Sequence, residues 1–332
     1  MKKIFKLMIV SSLSILLLTS CNNVHINNGK VYTEEDMTHF YSEKVAIDEL
    51  QALDITSNYA NLEIIASDDF YMEYSYYYIN NEPILSIEDH KLTFSDQKIN
   101  TGSYSIHTKH ENYLKIYIPT LSEFETIQID KSSGSCSIGS VKVKEMDISN
   151  QYGETILSGS VIDQLDLEES SGEILIENTS IRLAKIVNTY GEVVLNTINS
   201  QEEPGESLKL TLSSGKLSLD QVFSKESSIK NTYGEVEIKD SGLEKLDTKL
   251  SSGNLMIDRT EVETLSVENT YGLVKLNLLG KEEDYRFDIE SEYGNVEIGD
   301  SHYKNSVLID RGAQKEVSMV TSSGNIQIKF KE

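Results

Sequence analysis

From Val45 to the end of the chain, apolar residues occupy alternate positions in short runs, and each run keeps a fixed distance from a recurring glycine. Two and four residues after that glycine stand Ile174 and Ile176, Val193 and Leu195, Leu217 and Leu219, Val236 and Ile238, Leu255 and Ile257, and Val296 and Ile298. Five and seven before it stand Ile148 and Met146, Leu167 and Leu165, Leu210 and Leu208, Val267 and Leu265, and Ile289 and Phe287. Period-two alternation rich in Val, Ile and Leu predicts strands with one buried face. Helical periodicity is confined to the N-terminal segment.

The recurring glycines are Gly134, Gly153, Gly172, Gly191, Gly215, Gly234, Gly253, Gly272, Gly294 and Gly324. Six of the gaps between them are 19 residues, and the others are 24, 22 and 30. A fixed period near 20 marks a solenoid. One coil with one apolar face cannot bury it alone, whereas coils stacked about 4.8 Å apart close a continuous core. The expected fold is all-β: a right-handed parallel β-helix, or β-solenoid, of about ten or eleven coils. A further copy lies upstream, where Asn58 to Ile64 repeats the pattern with Ala60 in the glycine position.

The glycines are expected to turn a corner at positive φ. The residue before each alternates in size: Ser133, Tyr152, Ser171, Tyr190, Ser214, Tyr233, Ser252, Tyr271. A ring over a small residue suits a packing ladder, with the phenol bonded to a neighbouring hydroxyl. The packing ladder is the favoured reading; the alternative makes Tyr152, Tyr190, Tyr233 and Tyr271 an aromatic stripe that binds sugar. The alternation breaks where Tyr271 is followed by Tyr293.

Residues 1–20 stand outside this pattern. Lys2, Lys3 and Lys6 precede an apolar run from Leu7 to Leu18, too short to span as a helix, which reads as a secretory leader. The tetrad Leu18-Thr19-Ser20-Cys21 resembles the lipobox of bacterial lipoproteins. That resemblance implies that Cys21 carries lipid such as palmitate, becomes the mature N-terminus and ties the chain to the outside of the cell membrane. Residues 21–44 are then the lipidated N-terminus and a flexible tether. Residues 45–125 read as a first coil and an irregular N-terminal β cap, with a tyrosine-rich strand from Phe70 and a hairpin across Glu88–Lys91. Residues 126–332 are the solenoid repeats, with insertions at 199–206, 281–284 and 300–315 expected to leave the stack as loops. Cys136 falls on a core position as a small hydrophobe, so the chain has no disulfide framework.

Charge narrows the partners. The chain has 30 basic and 54 acidic side chains, net −24, and loss of Lys2, Lys3 and Lys6 with the leader takes the mature part to about −27. Such a surface opposes nucleic acid, anionic headgroups and polyanionic glycans. Glu154, Glu173 and Glu192 each follow a repeat glycine, so stacking would align their carboxylates about 5 Å apart. Such a ladder could attract Ca²⁺ weakly, or serve as an acidic edge that repels strand addition. No other cofactor or metal is expected.

Catalytic chemistry is thin. His107 and His110 are the only close histidine pair, and no His-Glu-x-x-His, phosphate-cradling loop or Gly-x-Ser-x-Gly occurs. The Ser-Ser-Gly corners recur as structural elements do and active sites do not. The alternative is a carbohydrate-active enzyme, a polysaccharide lyase or hydrolase, which would need a groove of converging carboxylates beside a basic residue. Arg182, Arg259, Arg286 and Arg311 show no cluster in sequence.

Ser-Ser-Gly and Tyr-Gly coils behind a lipoprotein signal resemble the bacterial putative-adhesin family of β-strand-repeat proteins, a domain of unknown function, over about residues 45–330. The resemblance implies a surface-exposed solenoid acting in attachment or envelope stress, with no catalytic residue to carry over. The expectation is a non-enzymatic, extracytoplasmic protein held to the membrane through Cys21, with a cell-wall glycan or protein as partner. An envelope-stress accessory role is the other alternative.

Overall fold

The computed structural model describes residues 37–78, 82–96 and 111–331, and the strands His25–Asn27 and Lys30–Tyr32. Cys21, His107 and His110 lie outside the described residues. The chain forms a parallel β-solenoid in which each residue pairs with its counterpart one coil on: Ile129 with Ile148, Ile148 with Leu167, Ile186 with Leu210, Thr248 with Val267. The alternating residues enter one continuous apolar core running from Leu50 to Ile328, with Cys136 fully buried in it.

The burial pattern gives each coil its shape. Along Val141–Ser158 alternation breaks at the exposed pair Lys144–Glu145 and again around Gln151–Glu154. A third break follows at Gly159, so three straight sides meet at three corners. The left-handed bend sits at this third corner, six residues after the repeat glycine. Ser140, Gly159, Asn178, Thr197, Gln221, Asp240 and Arg259 stack there with φ of 46–58°. Most are not glycine, and several are short polar residues that tolerate the conformation.

The repeat glycines are fixed by crowding as well as by φ. A Cβ on Gly253, whose φ lies outside the left-handed region, would sit 1.7 Å from the carbonyl oxygen of Gly234 in the layer before it. Gly172 would meet the Gly153 oxygen at the same distance. Backbone lies against backbone along this corner, and every repeat glycine from Gly153 to Gly324 shares the constraint, while a Cβ on Gly134 would find its nearest neighbours at 3.1 Å.

Three residues before the glycine, an interior column of mostly polar side chains answers several of those carbonyls. The amide Nδ2 of Asn188 donates to the Gly172 oxygen at 3.1 Å, Asn231 to Gly215 at 3.2 Å and Asn269 to Gly253 at 3.2 Å. Lys131, fully buried, donates in the same way to the Ala60 oxygen. Carbonyls turned from water thereby find donors. Asparagine occupies the column in the layers of Tyr152, Tyr190, Tyr233 and Tyr271, serine (Ser57 and Ser291) in those of Tyr59 and Tyr293, while the serine-corner layers hold Lys131, Glu169, Leu212, Leu250 and Thr321.

Both ends depart from serial stacking. At the C-terminus the strand Lys315–Ser323 pairs with Leu255–Tyr271 on one side and Tyr285–Ile298 on the other. The chain therefore leaps to the outermost layer, doubles back as the antiparallel strand Ser301–Ile309, and inserts its last coil beneath the layer it has just built. At the N-terminus, Ala52–Ser57 and Asn61–Ser67 lie between Lys91–Ser95 with Tyr113–Pro119 and the coil of Ser122–Ser133 with Cys136–Gly139. Antiparallel strands close this end too: Ile84–Glu88 on Lys91–Ser95, Tyr71–Tyr78 on Tyr113–Pro119, and Thr38–Ala46 outermost. They cover edges that would otherwise template pairing with another chain.

Two expectations are corrected here. Much of residues 300–315 is a capping strand instead of a loop, because the terminal layer needs its edge covered. The ordered cap begins at Thr38, inside the stretch read as tether, because Phe40 and Val45 pack against the core. At 281–284 the insertion is a short 3₁₀ turn, Glu282–Asp284.

Candidate functional site: a tyrosine ridge

The swapped C-terminal layers mend the break in the corner alternation. Ser133 pairs with Tyr152, Tyr152 with Ser171, Tyr190 with Ser214, Tyr233 with Ser252 and Ser252 with Tyr271. Ser323 then comes between Tyr271 and Tyr293. In space a tyrosine occupies every second layer through to the last. Tyr59 heads the column beside Asp96, half-buried, its phenol pKa raised by desolvation.

Tyr152, Tyr190, Tyr233, Tyr271 and Tyr293 are 59–70 % exposed. The serines between them are half-buried. The expected phenol-to-serine bond does not form; the rings stand out from the corner. Two layers separate successive rings, about 9.6 Å, and the ridge from Tyr152 to Tyr293 is about 38 Å long. The straight line follows from the glycine column, which holds every corner in register.

Each flank has its own chemistry. On one side, preceding the ridge residue, lie Ser170, Ser213, Ser251 and Thr270, exposed, with Thr189 and Thr232 half-exposed. On the other lie Glu154 and Glu173, paired in register, then Glu192 and Glu235. Glu192 faces Lys216, which ends the run of like charge. Among the described residues no three His, Cys, Asp or Glu side chains converge as a metal ion would require. The three carboxylates that the repeat aligned form a stripe, with no cage around a cation.

A groove of about 420 Å³ lies on another side of the prism, over Phe124, Val143, Ile162 and Ile181, walled by Pro204 of the 199–206 insertion. Most of its charges are paired. Lys142 reaches Glu123 at 2.7 Å and Lys144 reaches Glu125 at 2.6 Å. Arg182 bridges Asp163 and Glu206, an ionic cluster that sequence spacing had hidden. Lys142 and Arg182 hold the Glu123 and Asp163 carboxyls below their ordinary range. Carboxylates so held are poor general acids at neutral pH.

Sequence reading located the ridge tyrosines and the glutamate stripe, and left out Tyr293 and the hydroxyl flank. The signal for Tyr293 lay in the broken alternation itself.

Several solved structures align with most of the chain. A putative adhesin from Bacteroides fragilis covers 88 % of this chain and 96 % of its own at 11 % identity, with a TM-score of 0.31. A putative adhesin from Parabacteroides merdae covers 92 % and 98 % at 10 % identity, TM-score 0.31. A putative cell adhesion protein from Clostridium sporogenes covers 89 % and 100 % at 14 % identity, TM-score 0.19. Comparison with curated proteins finds no match. The family model for Toastrack DUF4097 matches twice, over residues 50–204 and 198–329, so the repeats from the first coil to the last are accounted for. The chain belongs to the Toastrack DUF4097 family.

Proposed function

We propose that this chain is a non-enzymatic, lipid-anchored β-solenoid outside the cell membrane that uses its tyrosine ridge as a contact surface for cell-wall or host material. One observation carries the reading: five large aromatic side chains stand in line in water, on a scaffold that could have placed them inside. Tyrosine offers a broad apolar face and a polar tip at small entropic cost, which suits it to contact surfaces. The names of the three structural neighbours accord with adhesion. The lipobox resemblance supplies the anchor and the compartment.

The test is co-sedimentation of the full-length, detergent-solubilised chain with purified cell walls and with host matrix proteins. Retention on at least one of them is expected. Retention on none overturns the reading.

A further inference from the structure

We infer that the ridge binds a β-1,4-linked hexosamine chain lengthwise, with one disaccharide for every two layers of the solenoid. This rests on the reading of the ridge as a contact surface and specifies what it contacts. The first argument is spacing. Successive exposed tyrosines are two layers apart, about 9.6 Å. An extended β-1,4-linked glycan repeats its orientation once per disaccharide, over a closely similar length. A pyranose presents an apolar face of C–H groups that packs on an aromatic ring, so every second sugar can stack on a tyrosine. The sugar between them lies over a serine, where the missing ring leaves room for its substituents. Strict Tyr–Ser alternation is what this register requires, and the C-terminal layer swap preserves it at the end where chain order alone would break it.

The flanks supply the second argument. Ser170, Ser213, Ser251 and Thr270 offer hydroxyls that both donate and accept along one side, matching the ring hydroxyls of a sugar. Along the other side Glu154, Glu173, Glu192 and Glu235 present carboxylates, with Lys216 the one cation in their row. A net charge of −24 repels uronates and phosphodiester polymers. It attracts a chain whose 2-amino groups are free and protonated, and accepts the N-acetylated form without penalty.

The experiment uses calorimetric titration of the full-length chain with chitohexaose, with the glucosamine hexamer and with dextran, followed by the double variant Tyr190→Ser/Tyr233→Ser. Serine already occupies this corner in the layers on either side, so the variant keeps the fold, which a thermal melt verifies. Both hexamers should bind and dextran should not. The glucosamine hexamer should bind more tightly at low salt and lose that advantage as salt screens the carboxylates. The double variant should weaken both by roughly tenfold or more. The inference is overturned if neither hexamer binds, if dextran binds equally, or if the variant binds as the parent does. Because retention on purified cell walls and on matrix proteins is measured separately, a ridge that contacts protein instead would fail here and still pass on the matrix proteins.

Discussion

Tyr271 lies in register with Ser323, a residue of the last coil, and Ser323 in turn with Tyr293 of the coil before it. The final segment of the chain is therefore a filling between two layers, and it supplies the parallel pairing that holds the outermost parallel layer, beside the bond that the Tyr285 hydroxyl donates to the Leu279 carbonyl at 2.7 Å. In a solenoid built serially, removing the last coil costs that coil alone, because each repeat contacts only its neighbours. Here truncation after Gly312 should also release Tyr285–Ile298, since Lys315–Ser323 and Ile326–Lys331 hold it by parallel pairing. Hydrogen exchange read by mass spectrometry should show the amides of Tyr285–Ile298 losing protection in the truncated chain. Full protection there would show that the layer re-docks directly on Leu255–Leu279.

The glycine column predicts a cost that backbone conformation alone would not. Gly253 has an ordinary φ, so alanine carries no torsional penalty, yet its Cβ would meet the Gly234 oxygen at 1.7 Å. The layers must separate or the corner must shift, and Gly253→Ala should lose roughly 3 kcal/mol or more. Gly312 gives the contrast: φ is +73° but nothing lies within 4 Å, so alanine there should cost about 1 kcal/mol. Denaturant unfolding of the two variants checks the order. Equal losses would mean that the corner yields to the added methyl at little cost, so that the stacked carbonyl does not select glycine there.

Much of this architecture was legible because a parallel stack repeats its sequence constraints. The glycine period, the apolar pairs around it and the core position of Cys136 all follow from one coil lying on the next. Stacking order was not legible, because pairing between non-successive coils leaves no local mark; only the Tyr271–Tyr293 break and the gap of 30 before Gly324 pointed to it. The interior asparagines were missed for a different reason. Asn150, Asn188, Asn231 and Asn269 each stand three before a Tyr-layer glycine, as Asn-x-Tyr-Gly, but a polar residue beside a corner ordinarily faces water. They face inward because the glycine corner turns a carbonyl toward the core. Of the ridge, the residues were readable and their exposure was not, since a ring beside a small residue fits a buried ladder as well as an open one.

Cys136 gives a probe of how the stack opens. It is fully buried, and desolvation pushes its thiol up to about 12, so both access and thiolate supply are withheld. With Cys21 blocked or lipidated, iodoacetamide at pH 8 should leave Cys136 unmodified in the folded chain and label it fully in denaturant. Labelling within minutes under native conditions would place the thiol in a layer that opens locally.

Glu169 contributes a large share of the pH dependence of stability. It belongs to the interior polar column, between Asn150 and Asn188, and is buried to 2 % exposure, its carboxyl oxygens without a well-formed hydrogen bond although the Thr155 hydroxyl lies beside them. The side-chain oxygens of Asn150 and Asn188 also lack donors, so a protonated Glu169 can donate to one of them where an ionised one cannot. Desolvation lifts its pKa from the ordinary 4.5 to about 7. Below 4.5 both folded and unfolded chains hold the proton and there is no penalty. Between 4.5 and 7 folding takes up a proton, so stability falls as pH rises, and above 7 the full loss is about 3 kcal/mol. Asp96 shifts in the same direction, burial outweighing its bonds from Tyr76 at 2.6 Å and from Asn58. Exposed carboxylates paired with Lys142, Arg182 and Arg259 shift the opposite way, and their stabilisation disappears only in stronger acid. Glu169→Gln keeps the shape and the capacity to donate while removing the charge. It should raise stability at pH 8, leave it nearly unchanged near pH 4.5, and flatten the slope between them. Melting curves of both chains at pH 5 and pH 8 decide the matter: parallel losses in parent and variant would move the origin of the slope away from Glu169.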